Sequence, residues 1–256
     1  MVTFLVLGGI PVLYWIWLFY VANRYKRSSV KFLIILFLAG SLCGLFALTL
    51  NHIIEKYTMF WSNSNETITL FGLVSDFPFY RLGFWFMVGF NEEFAKLMVL
   101  LLIAYPSRDF QEKFDGILYA AVVALGFATL ENAYYVEQYG FSVLVIRTVV
   151  TLPTHIFMSV PMGYFLAQSL FSLKAHAVPG RVHFDSVKLI LMGWGIAALL
   201  HASYDMLLSL DLKWLAYSQV LMMGGVTVFL WQLCLRQSHY APSTDAARLL
   251  VRQKIG

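Results

Sequence analysis

The chain has 256 residues, of which 60% are hydrophobic and only 12% charged, against roughly 25% charged in a soluble domain. Eighteen basic and 14 acidic residues cannot clothe a soluble fold of this size, and the same numbers exclude disorder, which needs low hydrophobicity and high charge. Cys43 and Cys234 lie far apart in apolar segments and form no CxxC, so neither a disulfide framework nor a thiolate metal site is implied. The composition is that of a polytopic membrane protein, predicted to be an all-α bundle.

A span needs about 20 mostly apolar residues. In chain order, residues 3–22, 30–53, 82–105, 116–138, 141–172, 187–209 and 214–235 qualify, giving seven predicted helices. No repeat or linker divides the chain, so residues 1–256 read as one integral membrane domain. Lys and Arg set the orientation. Span one is followed by Arg24, Lys26, Arg27 and Lys31 and preceded by no basic residue, which predicts the N-terminus outside. Alternation then puts Arg108, Lys113, Lys174, Arg181, Lys188, Arg236, Arg248, Arg252 and Lys254 inside with that first cluster, and Lys56, Arg81 and Lys213 outside. The C-terminus is cytoplasmic on this reading. The basic pI of about 9.0 is thus a topology signal and implies no nucleic-acid partner. Thr67 to Tyr80 is apolar but too short to span, and reads as an interfacial or re-entrant segment.

Ionisable residues inside spans are costly and mark function. Here they are Glu92, Glu93, Lys96, Glu131, Arg147, His155, His201 and Asp205. Lys96 stands four residues after Glu92, a spacing that suits an ion pair on one helix face. Arg147, near the outer end of its span, could snorkel. At 1.5 Å per residue, Glu92 and Glu93 lie roughly 15 Å below the outer end of span three, Glu131 roughly 10 Å down span four, His201 roughly 12 Å down span six, and His155 roughly 20 Å along span five. Four helices therefore bring acids and histidines to one level, at mid-membrane or in the outer half. Four-residue steps place Arg147, Thr151, His155, Ser159 and Gly163 on one face, and Gly193, Ala197, His201 and Asp205 on another. Small residues on those faces permit close helix approach. Pro153 and Pro161 bracket His155 and predict a kink beside it.

Two adjacent carboxylates in a low-dielectric setting suit general base and acid work. A histidine oriented by a carboxylate, as His201 and Asp205 at i and i+4 suggest, can stabilise an oxyanion. That set can hydrolyse an amide with no cofactor required and no covalent nucleophile. The same histidines and glutamates are also reasonable zinc ligands, although no H-E-x-x-H is present. A proton-coupled transporter uses similar groups, but no second copy of the motifs appears to make an internal repeat. A non-catalytic scaffold holding a substrate helix is a third reading.

Glu92-Glu93-Phe94-Ala95-Lys96 matches E-E-x-x-K. Gly126-Phe127-Ala128-Thr129-Leu130-Glu131-Asn132, His155 with Met162-Gly163, and His201-Ala202-Ser203-Tyr204-Asp205 follow in order. Over residues 90–205 these resemble the motifs of the PrsW intramembrane proteases, which are similar to the CAAX-processing and bacteriocin-processing membrane proteases. The resemblance implies an endopeptidase of the bacterial plasma membrane. It also implies a single-span membrane protein as substrate, such as an anti-sigma factor, cut near the outer face. The expected catalytic residues are Glu92, Glu93, His155 and His201, with Lys96, Glu131, Asn132 and Asp205 in support. If a metal is present, its expected ligands come from Glu92, Glu93, Glu131, His155 and His201.

Overall fold

The structure is a computed structural model describing residues 8–23, 27–61, 67–70, 74–176 and 184–239. Residues 3–7 of the first predicted span, and Arg24, Lys26, Arg181, Arg248, Arg252 and Lys254 of the predicted inner charges, lie outside the described residues. So does the side chain of Lys174.

The described chain is a helix bundle. Helix α1 (Ile10–Ala22) is followed by α2 (Val30–Trp61), which runs eight residues beyond its predicted end. A two-stranded antiparallel hairpin follows, β1 (Thr67–Leu70) with β2 (Val74–Pro78), pairing Thr67 with Pro78 and Ile68 with Phe77. The segment expected to lie in the interface or dip into the membrane is therefore mostly hairpin. Backbone groups near a membrane must find partners within the chain, and strand pairing supplies them where no helix forms. Helix α3 (Phe79–Val99) ends in a π-helical turn, Leu100–Ala104. Next come α4 (Lys113–Tyr139) and the short α5 (Ser142–Ile146). A second π-helical turn, Arg147–Thr151, joins α5 to α6 (Leu152–His176). Helices α7 (Phe184–Ser209) and α8 (Lys213–His239) complete the bundle.

Helices α2, α4, α7 and α8, and the continuous α5–α6 rod, are each long and apolar enough to cross a membrane. Helix α3 has the length but carries Arg81, Glu92, Glu93 and Lys96. The described part of α1 has 13 residues. The irregularity in span five is the π turn ahead of Pro153, where the Leu152 N–H reaches Arg147 O. Pro153 has no N–H to offer the preceding turn, so the extra residue is absorbed there. Pro161 lies within a continuous helix, and the irregularity precedes His155 by four residues or more.

Helix α4 is the axis of the bundle, buried without a break from Phe114 to Ala128. Close approach explains its glycines. A Cβ on Gly116 would come 2.3 Å from Gly163 O on α6, and one on Gly126 would come 2.1 Å from Phe37 O on α2. With no hydrophobic drive between helices in lipid, such backbone-to-backbone packing holds the bundle. The start of α4 is fixed by Asp115, fully buried. Its carboxylate accepts the N–H groups of Gln111 and Glu112 at 2.8 and 2.7 Å. Asn23 Nδ2 (2.8 Å) and Ser28 Oγ (3.3 Å), from the segment linking α1 to α2, donate to its other oxygen. The Tyr119 hydroxyl lies 2.9 Å from Ser28 Oγ and donates to Asp109 O. The Phe-Asp-Gly-Ile-Leu-Tyr run is thus a structural clamp at the predicted inner end.

Candidate active site

Every predicted site residue converges on one region. Helix α3 supplies Glu92, Glu93 and Lys96; α4 supplies Glu131 and Asn132. Arg147 comes from the π turn, His155 and Ser159 from α6, and His201 and Asp205 from α7. Helices α3 and α7 can deliver their groups to one point because Gly89 lies against Ala198 and Ala202, the neighbours of His201 on α7.

Glu93 is fully enclosed and spent on donors. Its Oε1 accepts from Lys96 Nζ at 2.7 Å and from His201 Nδ1 at 2.9 Å. Its Oε2 accepts from Ser159 Oγ at 3.0 Å. The partner of Lys96 is therefore Glu93 at i+3, not the expected Glu92 at i+4. Glu92 is turned toward α2 and α7 instead, leaving Glu93 facing the lysine. Lys96 Nζ also reaches His155 Nδ1 at 3.1 Å and sits 4.3 Å from the centre of the Phe127 ring. An ammonium only donates, so His155 Nδ1 accepts and its Nε2–H donates to Glu131 Oε2 at 2.9 Å.

Glu131 is braced in turn by Arg147, whose Nη2 lies 2.8 Å away. The Arg147 Nε donates to Asn132 Oδ1 at 2.8 Å, and the guanidinium stacks 3.8 Å above the Tyr135 ring. Arg147 does not snorkel, the alternative its place near the span end left open; it is mostly buried because Glu131 and Asn132 give it partners inside the bundle. The His155 and His201 rings meet edge to face, 5.1 Å apart.

Glu92 differs from its neighbour. Its Oε1 accepts from Asn51 Nδ2 of α2 at 2.8 Å, while its Oε2 is buried without a hydrogen bond. His201 donates through Nδ1 to Glu93, and its other ring nitrogen, Nε2, faces two further carboxylates. That atom lies 3.4 Å from Glu92 Oε2 and 3.5 Å from Asp205 Oδ2. Asp205 does adjoin His201 as its spacing predicted, but Glu93 makes the shorter contact and fixes the ring.

Glu92, Glu131, Arg147, His155, His201 and Asp205 line the floor of a cavity of about 660 Å³. Its walls include Asn51, His52 and Glu55 of α2, Tyr80, Arg81 and Trp85 of α3, and Leu208 and Ser209 at the end of α7. All belong to the predicted outer half of their helices. Asn51 and Asn91 were not expected to take part. Asn51 was legible as a polar residue within a predicted span, and Asn91 as the residue before Glu92. Neither is ionisable, and α2 has no motif.

One ligand atom each from Glu92, His155 and His201 lies within 4.8 Å of the others, and all three residues are buried. The donor set fits a divalent metal. Glu92 Oε2 is a buried carboxylate oxygen with no hydrogen bond, and the neutral His201 ring, with its proton on Nδ1, would offer the Nε2 lone pair. His155 would exchange one of its two present bonds.

Comparison with known proteins gives the same direction. Residues 28–232 match the model of the PrsW family, described as intramembrane metalloproteases. The chain belongs to the PrsW family of intramembrane metalloproteases. The Protease PrsW of Bacillus subtilis is 36% identical over 157 residues, covering 61% of this chain and 66% of that protein, just under two thirds of its length. The Clostridioides difficile Protease PrsW is 25% identical over 231 residues, 89% of this chain and 86% of that one. The Shouchella clausii Protease PrsW is 32% identical over 160 residues, 62% and 67% of the two chains. No solved structure matches. The chain is thus a multi-pass protease of the bacterial cell membrane. The match begins at residue 28, just ahead of α2 and well before the stretch 90–205 that carries the four motifs, in keeping with the place of Asn51 at the site. Both the family description and the Glu92–His155–His201 cluster favour the metal reading over the expectation that no cofactor is required.

Proposed function

We propose that this protein hydrolyses a peptide bond of a single-span membrane protein, such as an anti-sigma factor, close to the outer face of the membrane. The observation carrying this reading is the buried Glu92–His155–His201 cluster at the floor of a cavity lined from the predicted outer half of the bundle. The substrate class is supported by the motif resemblance alone.

Glu92, His155 and His201 would hold the ion, taken to be zinc from their carboxylate and imidazole donors. Bound there, a divalent ion supplies Lewis acidity and eases deprotonation of water. The remaining residues divide the other tasks. Four acids border the cavity: Glu55, Glu92, Glu131 and Asp205. Glu92 is a ligand, Glu131 is committed to His155 and Arg147, and Glu55 sits toward the mouth. Asp205, beside His201, remains to take a proton from water in the cavity and return it to the leaving amine. Glu93, with three donors on its carboxylate, orients His201 through Nδ1 and does not act as the base. A carboxylate behind a histidine fixes both tautomer and ring direction. Glu131 does the same for His155, and Arg147 and Asn132 brace it. Lys96 balances the enclosed charge of Glu93.

The test is cleavage of a candidate single-span substrate by the full-length protein in nanodiscs. Glu92→Gln, His155→Ala and His201→Ala should each abolish cleavage while helical circular dichroism is retained. Asp205→Asn should lower kcat by on the order of 10²-fold or more. Wild-type rates in the three ligand variants would end this reading.

A further inference from the structure

We infer that Asn51, on α2 and outside the four motifs, is a positioning residue that aims the Glu92 carboxylate into the site. The inference rests on Glu92 being a working group of the site, as proposed above.

The argument starts from one backbone carbonyl. Ala47 O can only accept, and Asn91 lies 3.0 Å from it, so the Asn91 atom facing it is the NH₂ group. The same NH₂ reaches a side-chain atom of Asn51 at 2.7 Å with its second proton. That atom must be the Asn51 oxygen. The Asn51 NH₂ is then left facing Glu92 Oε1, at 2.8 Å. The amide orientations are therefore dictated in series, from Ala47 O through Asn91 and Asn51 to Glu92, with no free choice at any step.

The consequence falls on Glu92. Its Oε1 is tied to α2, and its Oε2 is left buried without a donor, 3.4 Å from His201 Nε2. Glu93, by contrast, is saturated by three donors, and Glu131 is paired with His155 and Arg147. Asn51 makes the one hydrogen bond to the Glu92 carboxylate among the described residues, so without it the group is free to turn further toward His201, already 3.4 Å away. Hydrogen-bonding partners behind a ligating carboxylate typically govern 10–100-fold of metal affinity or activity. The device also explains why α2, lined with apolar residues toward lipid, carries Asn51 where it meets α3.

The experiment uses full-length protein in nanodiscs and three readouts: Zn²⁺ affinity by competition with a chromophoric chelator, kcat and KM on a single-span substrate, and the thermal unfolding midpoint. Asn51→Leu keeps the volume and removes the donor. It should weaken Zn²⁺ binding by about 10–100-fold and lower kcat by a similar factor, with KM and the midpoint near wild type. Asn91→Leu keeps Asn51 but frees its amide to rotate, and should move the same quantities less. It also decides the matter if Asn51→Leu does not fold. Thr49→Ala, on the exposed side of the same helix, should change nothing. Wild-type Zn²⁺ affinity and kcat in Asn51→Leu would overturn the inference, as would a lowered midpoint with a fully active folded fraction. If the wild type binds no Zn²⁺, the metal reading fails, and the kcat of Asn51→Leu alone decides for or against positioning.

Discussion

Gly89→Ala is the most informative small change, because it moves the site without touching any of its polar groups. A Cβ at this position would lie 2.6 Å from Ala202 N and 2.9 Å from Ala198 O and Ala202 Cα. All three are backbone or backbone-anchored atoms that cannot swing aside. Contact distance is about 3.5 Å, so α3 and α7 must part by roughly 1 Å. The His201 Nδ1 to Glu93 Oε1 bond, now 2.9 Å, then stretches to about 3.8 Å and ceases to be a hydrogen bond. Overpacking costs about 1–3 kcal/mol, while alanine in place of a helical glycine returns about 1 kcal/mol. The net loss of stability is therefore about 0–2 kcal/mol, small enough for the variant to fold. Misplacement of a catalytic geometry by 1 Å costs about 10²-fold in rate, and that loss should appear in kcat. The assay is single-span substrate cleavage in nanodiscs, with unfolding followed by circular dichroism. Gly83→Ala is the control: it lies on the same helix with nothing within 4 Å of the added carbon, and it should keep full activity. Wild-type kcat in Gly89→Ala would refute the claim that α3–α7 contact sets the site.

Removing metal with a membrane-permeant chelator should abolish cleavage, and added zinc should restore it; activity in metal-free protein would rule out the metal reading. Lys96→Met leaves the enclosed Glu93 charge without its cation and should destabilise by about 3–5 kcal/mol; Lys96→Met with Glu93→Gln should recover much of that in the unfolding midpoint. Asp115→Ala breaks four hydrogen bonds at the inner end of α4 and should cost about 2–4 kcal/mol, while the surviving folded fraction keeps its kcat. For topology, single cysteines at Asp211 and Arg108 in a chain with Cys43 and Cys234 replaced by Ala should react oppositely in intact cells. An impermeant maleimide should label position 211 and spare 108; the reverse would invert the predicted orientation.

Hydropathy alone located the membrane helices, because about 20 apolar residues in lipid have little alternative to helix. It did so with errors at the ends: α2 continues to Trp61, and the outer segment pairs into a hairpin. Hairpin pairing between Thr67 and Pro78 depends on which backbones meet, and no local signal marked it. The membership of the site was also legible, since an acid or histidine inside a span has few other reasons to be there. Asn51 escaped because an amide at a span end is unremarkable until its neighbours are known.

What the chain order could not decide is how these residues share the work. Glu92 and Glu93 are adjacent and chemically identical, and sequence gives no ground for separating them. A helix turns 100° per residue, so α3 points them at different neighbours: Glu93 at Lys96, Ser159 and His201, and Glu92 at Asn51 and the cavity. The helical period does place Lys96 within reach of either, and packing against α6 and α7 chose Glu93. Sequence by itself determined that this is a membrane protein with a polar centre of acids and histidines. Only the tertiary structure decided which carboxylate is saturated and which has a free oxygen, because that depends on donors brought from three other helices.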